Sequence, residues 1–96
     1  MNYKFNSFAI KELEDALDYY ININGSLGSQ FLEEFYSSIQ RIKNFPQTWS
    51  KISHNCRRCL LNKFPYGIIY QIEQKGIIII AVMQLNKKPN YWVERL

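Results

Sequence analysis

The apolar run of residues 77–83, IIIIAVM, constrains the fold of this chain more than any other stretch. A buried helix would also be apolar throughout, but four consecutive isoleucines favour a strand because side chains branched at Cβ suit an extended backbone. A strand with one wet face alternates apolar and polar residues, whereas this run does not. We therefore predict a strand over residues 77–84 that is covered on both faces. Helices can cover one face, and the other needs the C-terminal segment with Tyr91 and Trp92 or a second protein.

Two amphipathic segments upstream of this run predict a helical hairpin over residues 8–45. Ser7 is placed to act as the N-cap of the first helix, and Gly25 and Gly28 mark a turn within residues 22–29. Pro46 ends the second helix, because proline disfavours the helical conformation of the residue before it. The predicted buried positions are Ile10, Leu13, Leu17 and Ile21 in the first helix, and Phe31 or Leu32, Phe35, Ile39 and Ile42 in the second.

Short extended segments account for most of the remaining chain. Besides residues 77–84, we predict strands over the ranges 3–6, 57–63 and 68–73. The FPYG sequence is interpreted as a bend, the QKG sequence at residues 74–76 as a tight hairpin, and residues 47–55 as a polar loop anchored by Trp49. The order βααβββ predicts one domain, residues 1–96, of the α+β class. Its N-terminal strand and helical hairpin pack on a small, mainly antiparallel sheet.

The formal net charge of +4 is unevenly distributed along the chain. Residues 1–53 carry five basic and six acidic side chains, whereas residues 54–96 carry seven basic and two acidic ones. The positive field of the second half suggests a nucleic acid or an acidic protein as partner. No window is apolar enough for a membrane-spanning helix, and the first residues do not resemble a signal peptide. We therefore expect a cytoplasmic protein with no membrane partner.

Cys56 and Cys59 are the only cysteines, three positions apart. Residues three apart in a strand face opposite sides of the sheet, so this spacing does not favour a disulfide. His54 extends the pair to His-x-Cys-x-x-Cys, but no fourth metal ligand is evident. We expect two half-buried thiols and neither a metal nor a cofactor. Since P-loop, GxGxxG and GxSxG motifs are missing too, whether the chain is an enzyme is left open, and no catalytic residue is assigned.

Basic and aromatic residues of the second half are the candidates for binding a target, because cations and tyrosines in one concavity suit phosphates and stacked bases. Arg57 and Arg58 face opposite sides of a regular strand, so the sequence does not decide which of them joins the surface. The alternative is that these arginines only protect a sheet edge from aggregation. The predicted target-binding residues are Arg57, Arg58, Lys63, Tyr66, Gln84, Lys87, Lys88, Tyr91 and Arg95.

Three stretches resemble the RelE/ParE superfamily of bacterial type II toxins, and they occur in the family's order. They are ALDYY at residues 16–20, RRCLLNKFPYGIIY at residues 57–70 and AVMQLNKKPNYWVERL at residues 81–96. The family fold is a small sheet packed by an N-terminal helical hairpin, which agrees with the layout predicted above. The resemblance implies a growth-inhibiting, plasmid-stabilising toxin of a toxin–antitoxin system that a cognate antitoxin neutralises. It leaves open whether the chain forms a homodimer.

The resemblance implies two different activities, because RelE-like members cleave messenger RNA on the ribosome whereas ParE-like members inhibit DNA gyrase. This chain has Gly67 where many members have arginine after the FPY tyrosine, and Gln84 where many have histidine. Neither residue supplies a phosphate-stabilising charge or a base that titrates near pH 7. We therefore favour ParE-like interference with gyrase. A RelE-like, ribosome-dependent endoribonuclease and a non-toxic protein-binding module are the alternatives.

Overall fold

Strand order in the sheet differs from strand order along the chain. A computed structural model describes residues 2–96, which form a five-stranded sheet of order β1-β5-β4-β3-β2. The parallel pairing of β1 with β5 is an exception, since all other neighbours are antiparallel. The elements are β1 (Tyr3–Phe5), α1 (Ser7–Ile23), α2 (Gly25–Asn44), β2 (Lys51–Ser53), β3 (Cys56–Leu60), β4 (Tyr66–Glu73), β5 (Gly76–Gln84) and a 3₁₀ turn (Val93–Arg95). The predicted α+β class, with a helical hairpin packed on a mainly antiparallel sheet, is confirmed.

The strand β2 lies within residues 47–55, which were predicted to form a loop, and that prediction is wrong here. His54 and Asn55, both with positive φ, form the turn that folds β2 against β3. As an edge strand, β2 is largely exposed and lacks an apolar pattern. Trp49, just before it, packs partly buried against the helix-side core, as expected of an anchor.

The turn between the helices is shorter than predicted. Only Asn24 separates α1 from α2, and its side-chain oxygen accepts a hydrogen bond from the Leu27 N–H at 2.7 Å. Both glycines of the predicted turn lie inside α2, where Gly28 is buried because its surface meets Ile21 of α1. The N-cap of α1 is Asn6 rather than Ser7, since the Asn6 side chain accepts from the Phe8 N–H at 2.8 Å.

The buried face of α2 is the predicted one, whereas that of α1 is predicted only in part, since Leu13 is buried and Leu17 is partly buried against the core. Phe31, Phe35, Ile39 and Ile42 are all buried. In α1 the buried residues are Ala9, Leu13, Ala16 and Tyr20. The predicted Ile10 and Ile21 are instead about half exposed. Hydropathy selects isoleucine over alanine, whereas close packing of a helix favours the small alanine side chain.

Both faces of β5 are covered, as its uniform apolar sequence predicts. A bulge shifts the register, because Ile69 pairs with Ala81 while Tyr70 pairs with Ile79. The intervening Ile80 therefore joins Ala81 on the same side. Two clusters of apolar residues result, one facing the helices and one facing away from them. We call these sides of the sheet the helix face and the second face.

The second face is covered by the C-terminal segment of the same chain. Trp92 is 1% exposed and packs there with Tyr91 and Val93 over β5 residues. The sequence left a second protein open as the cover of this strand. The structure gives that role to the chain itself, so the apolar strand does not require a partner.

The predicted bend between β3 and β4 is displaced toward the N-terminus. The chain turns over residues 61–65, and the Leu61 N–H donates to the Tyr66 carbonyl at 2.9 Å. Tyr66 and Gly67 therefore belong to β4 rather than to the bend. The next hairpin is tight, as predicted, but Gly76 belongs to β5 rather than to the turn, since it pairs with Glu73 across the two residues 74–75.

Cys56 and Cys59 lie on opposite faces of the sheet, as their spacing predicts. Both are free thiols and are fully buried rather than half-buried. Burial raises the pKa of each thiol, so both remain protonated near neutral pH. Within residues 2–96, His, Cys, Asp and Glu side chains form no cluster that could hold a metal ion, and no helix is long and apolar enough to cross a membrane.

Candidate target-binding surface

Arg57 and Arg58 point to opposite faces of β3, and their environments differ. Arg57 faces the helix side and donates to the carbonyl oxygens of Trp49 at 2.6 Å and Gln47 at 3.2 Å, which ties down the loop before β2. Arg58 is exposed, and no ion pair or hydrogen bond joins its side chain to another residue within 2–96. Arg58 is therefore the arginine of this pair that is free to contact a target.

Lys63 lies beside α2, apart from Arg58. The carboxylate of Glu34 accepts hydrogen bonds from the backbone N–H groups of Asn62 and Lys63, the latter at 3.0 Å. The Lys63 side chain lines a cleft with residues of α2 that include Arg41. The structure therefore does not bring Lys63 and Arg58 together.

Three of the predicted residues line one groove between α1 and the end of β5. Tyr66, Gln84 and Lys87 meet Asp15 and Tyr19 around a groove of about 360 Å³. Burial raises the pKa of Tyr66, and the nearby Tyr20 and Tyr19 add to the shift. Its phenol is therefore neutral near pH 7 and can donate a hydrogen bond, but it is not a base.

Tyr91 and Arg95 are bound inside the molecule by Glu12 of α1. The Arg95 guanidinium donates to both Glu12 carboxylate oxygens, at 2.7 and 3.0 Å, and the Tyr91 hydroxyl donates to the same carboxylate. Burial raises the pKa of Tyr91, and the nearby Glu12 carboxylate raises it further. Glu12, followed by Tyr91, raises the pKa of Arg95. These two residues therefore hold the C-terminal segment in place and are not free to bind a target.

The same network closes the edge of β5 where β1 ends. Glu12 accepts from the Val82 N–H at 3.0 Å, and Arg95 donates to the Ile80 carbonyl at 3.1 Å. These backbone groups would otherwise be open to a further strand. Lys87, in the turn after β5, places its ammonium nitrogen 6.0 Å from the centroid of the Tyr91 ring, and the neighbouring Lys88 is exposed.

The comparisons with known proteins agree with this architecture. Residues 3–87 match the model of a family described as the ParE toxin of the type II toxin-antitoxin system, parDE. The chain belongs to this family. The RelE/ParE resemblance read from the sequence is thereby confirmed. Among curated protein sequences, none is a significant match to this ParE-family chain.

A solved structure shares the fold of this ParE-family chain. It is described as the chromosomal ParDE TA system from P. aeruginosa and superposes with a TM-score of 0.70 at 16% sequence identity. The matched region covers 90% of this chain and 97% of the other. At this identity the likeness supports the fold alone.

Sequence reasoning missed Glu12 and Glu34, because acidic residues on a helix are usually solvated. In this ParE-family chain Glu12 binds the C-terminal segment and Glu34 binds the turn between β3 and β4. One sequence feature could have indicated the role of Glu12. Glu12 lies three positions after Ala9 and four positions before Ala16, which places it beside the buried stripe of α1.

Proposed function

We propose that this chain is the toxin of a toxin–antitoxin pair and that it inhibits growth by interfering with DNA gyrase. Membership in the ParE toxin family supports this proposal. The observation that carries the preference for gyrase over RNA cleavage is that Gln84, and no histidine, lines the groove beside Lys87. The proposal places the protein in the cytoplasm, where gyrase acts.

A nuclease that activates a 2′-hydroxyl needs a base whose pKa lies near the working pH. Gln84 does not titrate, and the Tyr91 hydroxyl is already donated to Glu12. Burial raises the pKa of Tyr66 away from neutrality. His54, the only histidine, lies in the β2–β3 turn with its ring against Trp92, at a centroid distance of 6.3 Å. A target bound through charge alone needs none of these groups.

Induced expression without the neighbouring gene tests the toxin function, and two assays on purified protein separate the targets. We expect growth to stop, gyrase supercoiling to fall and ribosome-bound messenger RNA to stay intact. Defined cuts between codon positions would instead assign the RelE-like activity. Normal growth together with full supercoiling would instead support the alternative that the chain is a non-toxic protein-binding module.

We further propose that a cognate antitoxin neutralises the chain through an acidic segment that approaches Arg58. The positive charge of residues 54–96 supports this, as does the toxin–antitoxin description of the P. aeruginosa structure. Co-expression of a short adjacent reading frame should restore growth. Binding of its product should weaken as salt rises from about 50 to 500 mM, because exposed charge pairs are screened over that range. Binding that does not respond to salt would contradict the electrostatic part.

A further inference from the structure

The absence of a side chain at Gly67 creates the space in which Arg58 lies. Gly67 of β4 pairs with Leu60 of β3. Arg58 lies two residues before Leu60 in β3, so its side chain is on the same face of the sheet. A Cβ atom added to Gly67 would lie 3.2 Å from Arg58 Cγ, 3.3 Å from its Cδ and 3.3 Å from Leu60 Cδ2. Gly67 does not have a positive φ, so its backbone conformation does not require glycine. A larger residue at position 67 would take up the space that the Arg58 stem now occupies.

This packing holds a charge that has no partner within residues 2–96. The aliphatic stem of Arg58 lies against the sheet, while the residue as a whole remains exposed. An exposed single charge adds little to folding stability. A guanidinium whose stem is already ordered loses less side-chain entropy when it binds, which favours a contact with an anion.

The neighbours of Arg58 favour a protein over a nucleic acid as the source of that anion. Leu60, on the same face, is 46% exposed and aliphatic. Tyr66 and Tyr70 belong to the helix-face cluster, and Trp92 is buried between the C-terminal segment and the sheet. Single-stranded nucleic acids bind largely by stacking bases on exposed aromatic rings. A cation beside an exposed leucine instead suits a carboxylate at the edge of an apolar protein contact.

We propose that Gly67 is a seat for the stem of Arg58, and that Arg58 and Leu60 together bind a carboxylate on an acidic protein surface. Gly67 is in this sense a positioning residue, since it acts through Arg58. The identification of that acidic protein with the target of growth inhibition rests on the proposed function. The packing of Arg58 against Gly67 and the preference of Arg58 for carboxylates do not depend on the proposed function.

The seat is tested by NMR relaxation of the Arg58 Nε–H group in the whole chain. Gly67→Ala should change the order of this group, because the new Cβ would lie 3.2 and 3.3 Å from Arg58 Cγ and Cδ and the arginine stem must shift to make room. Gly25→Ala is the matched control, since a Cβ at Gly25 meets nothing within 4 Å. Unchanged Arg58 relaxation in folded Gly67→Ala protein would overturn the seat.

The carboxylate preference is tested by titration with a glutamate oligomer and with an oligothymidylate of equal charge. Arg58→Ala leaves Gly67 in place, so this arm does not depend on the folding of the glycine variant. The Arg58→Ala substitution should weaken binding of the glutamate oligomer about fivefold or more, as loss of a direct charge contact does. Lys75→Ala removes the same charge from the turn after β4 and should have a smaller effect. Equal effects, or a larger loss with oligothymidylate than with the glutamate oligomer, would overturn the proposed partner.

Growth inhibition then links the seat to function. Gly67→Ala should reduce inhibition in the wild-type background and add nothing in the Arg58→Ala background, because both changes act on one contact. Independent losses in the two backgrounds would contradict positioning. If the wild-type chain does not inhibit growth, the proposed function fails, while the relaxation and titration results still decide on the seat.

Discussion

The two faces of the sheet are covered by different means. On the helix face, two long helices contribute aromatic and aliphatic side chains to the larger cluster. Phe64, for example, lies 4.8 Å from Tyr20 and 5.2 Å from Phe31 between ring centroids. On the second face, one short segment covers a smaller cluster, chiefly through Trp92.

The difference lies in how many contacts hold each cover. The helices bury a row of side chains on each of several turns, so no single contact decides whether they stay. The C-terminal segment depends on Trp92 and on the carboxylate of Glu12, which binds both Tyr91 and Arg95. Regions held by few contacts open before the rest of a protein does. We therefore expect the second face to open locally, whereas the helix face opens only with global unfolding.

The largest expected effect comes from emptying the helix face. Phe35 is fully buried, so Phe35→Ala should lower the free energy of unfolding by about 3–5 kcal/mol, the usual cost of removing a buried phenylalanine ring. Denaturant unfolding measures the loss. Phe45→Ala is the control, because Phe45 is 63% exposed and its loss should change stability by about 0.5 kcal/mol or less. Similar losses in both variants would show that the helix face is not the main core.

The next effect concerns the attachment of the second face. Glu12→Gln keeps the side-chain shape but leaves the Arg95 guanidinium, 13% exposed, without its counter-charge. We expect a loss of about 2–3 kcal/mol, below the cost of breaking a fully buried ion pair because this one is partly solvated. Hydrogen exchange should accelerate more in the segment around Trp92 than in α2.

The exposed Glu14 on the same helix provides the control for this variant. Glu14→Gln removes an equal charge and should leave both stability and exchange near the wild-type values. Uniform acceleration across the whole chain in Glu12→Gln would mean that the two faces open together.

High pH should weaken the helix face through Tyr70. Its hydroxyl donates to the Pro46 carbonyl at 2.6 Å, and burial raises the pKa of Tyr70 from 10.0 to about 12. The neutral phenol is therefore stabilised by folding, so its contribution is complete below about pH 10 and is lost as the pH rises toward 12. The free energy of unfolding, followed from pH 9 to 12, should fall more steeply in the wild type than in Tyr70→Phe. Parallel curves would show that Tyr70 ionises equally well in the folded state.

The smallest effect on stability is expected from the surface cations. Lys87→Ala combined with Lys88→Ala, and separately Arg58→Ala, should each change stability by about 0.5 kcal/mol or less, because exposed charges contribute little to folding. We expect both variants to lose growth inhibition. Thermal melting measured beside growth separates the two properties. Full toxicity in both variants would mean that these charges only protect a sheet edge.

Features that depend on local chain geometry were predicted well from the sequence. The branched run of β5 implied a strand covered on both faces, and alternation placed Cys56 and Cys59 on opposite sides. Alternation likewise separated Arg57 from Arg58. The apolar spacing of α2 identified its buried face, since periodicity follows directly from the geometry of a helix. The resemblance in three stretches identified the family.

The sequence did not reveal how distant segments meet. Arg58 became the free arginine only because the carbonyls of Gln47 and Trp49 bind Arg57. The predicted cations did not gather into one surface, since Lys63 lies beside α2 while Arg95 is bound by Glu12. The bulge at Ile80 and the seat at Gly67 are also products of strand pairing.

The sequence by itself thus determined the order of the elements other than β2, the double burial of β5 and the family. Tertiary structure decided what covers the second face and which charges remain free. The physical reason is range: side-chain periodicity and turn chemistry act between near neighbours, whereas Glu12 meets Arg95 across a separation of 83 residues. The partners of a charged side chain depend on the packed arrangement of the whole chain, and no local pattern encodes them.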